Sequence, residues 1–131
     1  MTGITRLEHA DGAPRSYVAA TLLGELIFPC GQIPTLANGE TPGGIAAQTV
    51  ACLDNLESTL ERAGSSLSSI LQITVYLLSM DDFEAYDAAW RARFAKRPLP
   101  PRTTLFVAGF RGTKRIELTA IAHRDGKEAT L

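Results

Sequence analysis

The sequence predicts a single α+β domain: a mixed β-sheet with two helices packed on one face. Apolar residues recur at helical spacing in two stretches and alternate at strand spacing in several others. The two patterns interleave along the chain as strand pair, helix, strand, helix, strand pair. Helices on one side of the sheet would bury both apolar stripes, leaving the other side to solvent or to another chain. Tyr17, Phe28 and Phe106 do not all fit on the helix side, which favours an oligomer.

Tyr17 to Leu23 and Leu26 to Cys30 are short apolar runs separated by Gly24 and Glu25, the pattern of a hairpin. Pro29 lacks an N–H to donate, so the second run is expected at an edge, a bulge or a strand end. A breaker-rich loop, QIPTLANGETPGG, follows Gly31. Ile45 to Ala63 is expected to be helical, because Ala46, Val50, Leu53, Leu56, Leu60 and Ala63 draw one stripe at spacings of three and four. Gly64 stands where a left-handed cap is needed. Ile70 to Leu78 then alternates Leu71, Ile73, Val75 and Leu77 against Gln72, Thr74 and Tyr76, which makes a strand.

The second helix follows, with Phe83, Tyr86, Trp90 and Phe94 at helical spacing. Asp81 and Asp82 suit its positive end, and Lys96 and Arg97 its negative end, before Pro98, Pro100 and Pro101 stop it. Arg102 to Ala108 and Arg115 to Ala122, joined through GFRGTK, are expected to form an antiparallel hairpin. The polar tail from Arg124 to Leu131 is expected to fray.

The chain has 131 residues, 45% of them apolar and 21% charged, enough for one core without staples. Thirteen Lys and Arg against fourteen Asp and Glu give a formal charge of −1, with no bulk basic surplus for a nucleic acid, although a local basic patch stays open. Cys30 and Cys52 have neither the density of a disulfide scaffold nor the spacing of a zinc site, so reduced thiols in a cytoplasmic protein are expected. The opening MTGITRLEHADG lacks the apolar core of a secretory signal, and Gly24 and Glu25 interrupt the longest apolar stretch, so no membrane span is expected.

Familiar catalytic motifs (GxSxG, HExxH, GxxxxGK, GxGxxG) are absent. His9 and His123, one near each terminus, read as exposed strand ends, and Gly43 and Gly44 as a turn before a helix rather than an anion cradle. The last two strands are more informative. Arg102, Thr104 and Phe106 share one face of the first; Glu117 lies opposite the apolar face of Ile116, Leu118, Ala120 and Ala122 on the second. Were those strands neighbours, Arg102 and Glu117 could stand on the same side, either as a surface ion pair or as the walls of a small-molecule site. Geometry alone favours the ion pair.

The landmarks CGQIP (Cys30 to Pro34), AAQTVACLDNLESTLERAG (Ala46 to Gly64), VYLLSMDDF (Val75 to Phe83), PPRTTLFV (Pro100 to Val107) and RIELTAIA (Arg115 to Ala122) occur in order. With them the chain resembles the RidA (YjgF-like) imine deaminase family, also catalogued as L-PSP endoribonucleases, from about Ser16 to His123. The resemblance implies a homotrimer with pockets between neighbouring subunits and a reaction that needs no metal or organic cofactor, while the balanced charge and the lack of a spanning segment leave no nucleic-acid or membrane partner expected. It implies that Arg102 clamps a substrate carboxylate and Glu117 orients the attacking water. Tyr17 matches the pocket tyrosine, and Gly31 supplies backbone groups beside the reacting carbon. Cys30 stands where many members have serine, Thr104 where many have cysteine, and Asp87 where better-known members have asparagine. The segment PRSY also departs from the family's Gly-Pro pair before Tyr17.

The expected reaction converts a 2-imino or 2-enamino acid, such as 2-aminoacrylate or 2-iminobutanoate, to a 2-oxo acid and ammonia. The alternatives are a trimeric ligand-binding or chaperone-like protein without turnover and, less favoured by the balanced charge, an endoribonuclease.

Overall fold

A computed structural model describes residues 3–125. In chain order the elements are β1 (Ile4–Leu7), β2 (Ala20–Leu23), β3 (Leu26–Pro29), α1 (Ile45–Arg62), β4 (Ile70–Leu77), α2 (Phe83–Arg93), β5 (Arg102–Phe106) and β6 (Ile116–His123). The strands form one six-stranded sheet in the order β1-β2-β3-β6-β4-β5. Only β4 and β5 run parallel. No helix of the described residues is long and apolar enough to cross a membrane.

The expected α+β layering is present: Leu53, Leu56 and Leu60 of α1 and Tyr86 and Trp90 of α2 share one core with Ile73, Val75, Leu77, Ile116 and Leu118 of the sheet. Helix α1 ends as its sequence predicts. Gly64 has φ 84°. The Ser65 N–H donates to the Leu60 carbonyl at 2.8 Å and the Gly64 N–H to that of Glu61 at 3.1 Å, the paired bonds of a Schellman cap. Tyr86 and Trp90 of α2, and Phe94 at its C-terminal end, are buried as expected.

The structure corrects several expectations. The last two strands are not a hairpin, because β4 lies between them, pairing parallel with β5 and antiparallel with β6. A parallel pair needs a crossover, which α2 supplies, and the arrangement puts β4 inside the sheet. Strand β1 escaped the sequence reading because Ile4, Thr5 and Arg6 are exposed, so an edge strand left no apolar alternation to see. Strand β2 starts at Ala20 rather than Tyr17. A bulge between Ile70 and Gln72 turns Leu71 out to solvent. The tail is tied down further than expected: the Arg124 N–H donates to Glu25 and the Asp125 N–H to Gly64, at 2.8 and 3.0 Å. The rest of that expectation, at positions 126–131, lies outside the described residues.

The buried stripe of α1 is also rotated from the expected one. Ala46 and Val50 are exposed, whereas Ile45, Gln48, Thr49 and Cys52 are buried. Polar residues survive there because each finds a backbone partner. Thr49 donates to the Ile45 carbonyl at 2.8 Å. The Gln48 amide donates to the carbonyls of Pro42 and Thr113 and accepts from the Arg115 N–H, at 2.9, 3.2 and 2.8 Å. One buried side chain thus ties two loops to the helix. Gln48→Leu keeps the volume but strands three backbone groups, and we expect it to lower unfolding free energy by about 2 kcal/mol or more. Urea denaturation showing a loss below about 0.5 kcal/mol would mean that other contacts hold these loops.

The face away from the helices carries Thr21, Phe28, Thr74, Tyr76, Leu105, Glu117 and Thr119, which alternate with the core positions of their strands. Phe28 and Leu105 are 37% and 48% exposed there, so the spare sheet face is apolar as well as polar. Phe106 lies on the helix side at a strand end, and Tyr17 precedes β2.

Candidate active site

The sequence-predicted site residues fall into two groups on opposite faces of the sheet. Arg102 pairs in register with buried Ile73, and Thr104 with buried Val75, so both lie on the helix side. Glu117 pairs with Tyr76, which is out of phase with those core residues, so it lies on the open side. The expectation that Arg102 and Glu117 share one side of adjacent strands is therefore wrong on both counts. Strand alternation relates residues within a strand, and only the strand order relates one strand's phase to another's.

Around Glu117, residues 30–35 are fixed by several bonds. Gln32 and Leu118 exchange backbone hydrogen bonds at 2.8 and 3.0 Å. From α1, Asn55 donates to the Ile33 and Thr35 carbonyls at 2.8 and 2.9 Å. The Gln32 side chain turns back to donate to the Cys30 carbonyl at 2.9 Å. This lays Gly31 against Glu117 so closely that a Cβ on Gly31 would sit 2.0 Å from Oε2. Glycine is needed here for space. Gly31→Ala must push the carboxylate out of its seat, and we expect kcat to fall at least about tenfold with the fold retained. Retained wild-type kcat would show that Glu117 works from another position.

Glu117 is half-buried, and burial raises its pKa above the ordinary glutamate range, an effect that the Lys114 ammonium opposes. It lines a cavity of about 770 Å³ together with Tyr17, Cys30, Gly31, Arg111 and Lys114. The Cys30 thiol is raised mainly by burial, which disfavours the nucleophilic thiolate. Cys52, also raised by burial, donates to the Gln32 carbonyl at 3.4 Å and acts as packing. A half-buried carboxylate beside small backbone groups can accept a proton from water. A smaller cavity of about 380 Å³ is walled by residues 8–18 and shares only Tyr17 with the predicted site.

On the other face the Arg102 guanidinium stands 5.0 Å from both the Tyr86 and Trp90 ring centres and 6.0 Å from that of Phe83. These rings present their π-faces to a cation and limit its swing. Its Nη1 forms an ion pair with Asp87 at 2.9 Å. Nη1 is buried yet has no aligned hydrogen-bond partner among the described residues. Asp87 also accepts from Arg91 Nε at 2.8 Å, and that bond, followed by the pull of Arg102, holds its carboxyl below the usual range. Thr104 and Tyr86 share a hydroxyl–hydroxyl bond of 2.8 Å at the back of this cluster. Arg102 is thus a planar cation held between aromatic rings and paired with an internal carboxylate.

Sequence reasoning missed the supports: Gln32, Gln48 and Asn55 hold the segments around Glu117, and Asp82 grips Arg115 with two bonds of 2.9 Å. The available signal was a pair of carboxamides, Gln48 and Asn55, beside the apolar stripe of α1. Among the described residues no cluster of His, Cys, Asp and Glu could hold a metal ion.

Residues 8–124 match the profile of the family described as "Endoribonuclease L-PSP". A "RutC family protein" of Haemophilus influenzae is 35% identical over 128 residues, covering 95% of this chain and 98% of that protein. The "2-iminobutanoate/2-iminopropanoate deaminase" of Escherichia coli is 35% identical over 120 residues, covering 89% and 94%. Among solved structures, E. coli TdcF with bound serine superposes with a TM-score of 0.85 at 28% identity, covering 92% of this chain and 100% of that one. The E. coli YjgF gene product superposes with a TM-score of 0.80 at 34% identity, covering 91% and 94%.

Proposed function

The chain belongs to the L-PSP endoribonuclease family, the RidA (YjgF-like) proteins, and from that footing we propose that it is an imine deaminase. It hydrolyses 2-imino and 2-enamino acids to 2-oxo acids and ammonia, in pockets formed between the subunits of a homotrimer. The observation that carries the reading is the desolvated Glu117 carboxylate, seated on Gly31 in an open-sided cavity. A second support is the division of Arg102 and Glu117 between two faces. One chain cannot bring them to one small molecule, whereas a neighbouring copy packed on the open face can complete the site.

In this mechanism Arg102 of one subunit binds the substrate carboxylate and fixes the position of the C=N carbon. Glu117 of its neighbour accepts a proton from water as the oxygen bonds to that carbon. The same proton then goes to nitrogen, and the hydroxyl proton follows it as the C–N bond breaks and the carbonyl forms, so ammonia leaves with the 2-oxo acid as product. An enamino acid first takes a proton at C3, and loses one from nitrogen, to become the imine. The atoms balance without any oxidant or reductant. Tyr17, Cys30 and Gly31 wall the Glu117 side; Asp87 and Thr104 set the position of Arg102.

The test generates 2-aminoacrylate in situ and follows ammonia release. We expect acceleration over the uncatalysed rate, and its absence in correctly assembled protein would favour ligand binding without turnover. The pH dependence is a second expected result. As the base, Glu117 must be ionised, so kcat/KM should fall on the acid side through a value above the ordinary glutamate range, because burial raises it. That limb should vanish in Glu117→Gln.

A further inference from the structure

Formal charge over the whole chain is nearly balanced, but the wall of the Glu117 cavity is not. It carries Arg15, Arg62, Arg111 and Lys114, and Glu117 is its only carboxylate. Two of the cations are engaged. Arg15 makes a two-bond ion pair with Asp11 at 3.0 and 2.8 Å. Arg62 donates to the Glu8 carbonyl at 2.6 Å. The other two make no ion pair among the described residues: Lys114 Nζ donates to the Arg111 carbonyl at 3.1 Å and feels Glu117 only at longer range.

These two cations also sit on a supported segment. The loop between β5 and β6 is held at Thr113 and Arg115 by Gln48, and again at Arg115 by Asp82. Two cations without an ion pair, on a tethered loop beside a pocket whose single carboxylate is Glu117, raise the local concentration of anions and favour a ligand that neutralises them. Asp87 does not oppose this, because it already lies between Arg91 and Arg102, one carboxylate against two guanidinium groups.

We propose that Arg111 and Lys114 form a second anion subsite beside Glu117, so that the pocket takes a 2-imino acid whose side chain ends in a carboxylate. One carboxylate meets Arg102 and the other meets Arg111 and Lys114, while the C=N carbon lies by Glu117. Such a 2-imino dicarboxylate is the product of dehydrogenating an acidic amino acid, so an amino-acid oxidation must supply it. The turnover part of this inference rests on the deaminase reading, but the binding part does not.

Calorimetry with the 2-oxo acid products therefore tests the subsite by itself. We expect 2-oxoglutarate to bind at least about tenfold more tightly than 2-oxobutanoate, with the ratio shrinking as salt is added. In the Arg111→Gln, Lys114→Gln double variant the ratio should fall to within about twofold, and Lys114→Arg alone, which keeps the charge, should retain it. Both positions lie on an exposed loop; assembly mass and Tm report whether the variants fold. A wild-type ratio near one, or a tenfold ratio that survives the double substitution, overturns the proposal. Turnover of imines made from glutamate and from 2-aminobutanoate by an amino-acid oxidase is the separate arm. If neither is hydrolysed, the deaminase reading fails while the calorimetric ratio still decides the subsite.

Discussion

Arg102→Ala should lower kcat/KM for 2-aminoacrylate by about a hundredfold or more, and Arg102→Lys by at least about tenfold, or about 1.4 kcal/mol. The difference between them follows from shape. Guanidinium offers two parallel N–H groups to one carboxylate, and the Tyr86 and Trp90 rings at 5.0 Å support its plane. Lysine keeps the charge but not the fork. The substitution also frees Asp87, leaving Arg91 as its only cation. A bare carboxylate at the place vacated by the receptor repels the substrate, so the alanine variant loses more than a missing contact. Arg102→Ala, Asp87→Ala should recover part of the loss in KM. Wild-type kcat/KM in Arg102→Ala would remove the carboxylate clamp from the mechanism.

Glu117→Gln should lower kcat by about a hundredfold with KM little changed, since glutamine fits the seat on Gly31 but cannot carry a proton from water to nitrogen. Its more telling use is in combination. Arg102 and Glu117 of one chain lie on opposite faces of the sheet, so the reading requires each pocket to take one residue from each of two subunits. Mixing Arg102→Ala chains with Glu117→Gln chains and allowing exchange should restore about a quarter of wild-type activity. Only pockets that draw glutamate from the first variant and arginine from the second are whole, and random assembly makes about one in four of these. A mixture that exchanges subunits, yet stays as slow as its parents, would place both residues in the same chain's site or outside any site.

The limits of the sequence can be seen in these same residues. Helix α1 was legible because Leu53, Leu56 and Leu60 repeat at helical spacing and Gly64 provides a left-handed stop. The core of β4 was legible because Ile73, Val75 and Leu77 alternate. Pairing was not. Nothing in Arg102 to Phe106 or Ile116 to His123 states that β4 separates them, since two strands near in sequence read as a hairpin unless the preceding helix is recognised as a crossover. Periodicity also placed Val50 in the buried stripe, where the hydrogen-bonding capacity of Gln48 and Thr49 had more influence. The identity of the candidate site residues came from the motif resemblance, and their arrangement came only with the fold. The contact of Gly31 with Glu117 leaves no trace in spacing or composition.

The burial that prepares Glu117 also acts on folding. Its raised pKa means that it favours the folded chain most below its unfolded value, and that contribution fades as pH rises through the folded value. The ionised base is thus held at a small expense in stability, which Glu117→Gln should relieve at neutral pH.

The separation of Arg102 from Glu117 by the sheet has one more consequence, which concerns dosage. If a working site exists only where two chains meet, specific activity is a property of protein concentration. On dilution below the assembly constant it should fall faster than the amount of enzyme, and a bound 2-oxo acid should pull dissociated chains back together by the same linkage. A cell carrying one sound copy and one copy lacking both residues would keep about a quarter of the activity rather than half, because each faulty chain spoils both pockets to which it contributes, so the harm spreads by assembly.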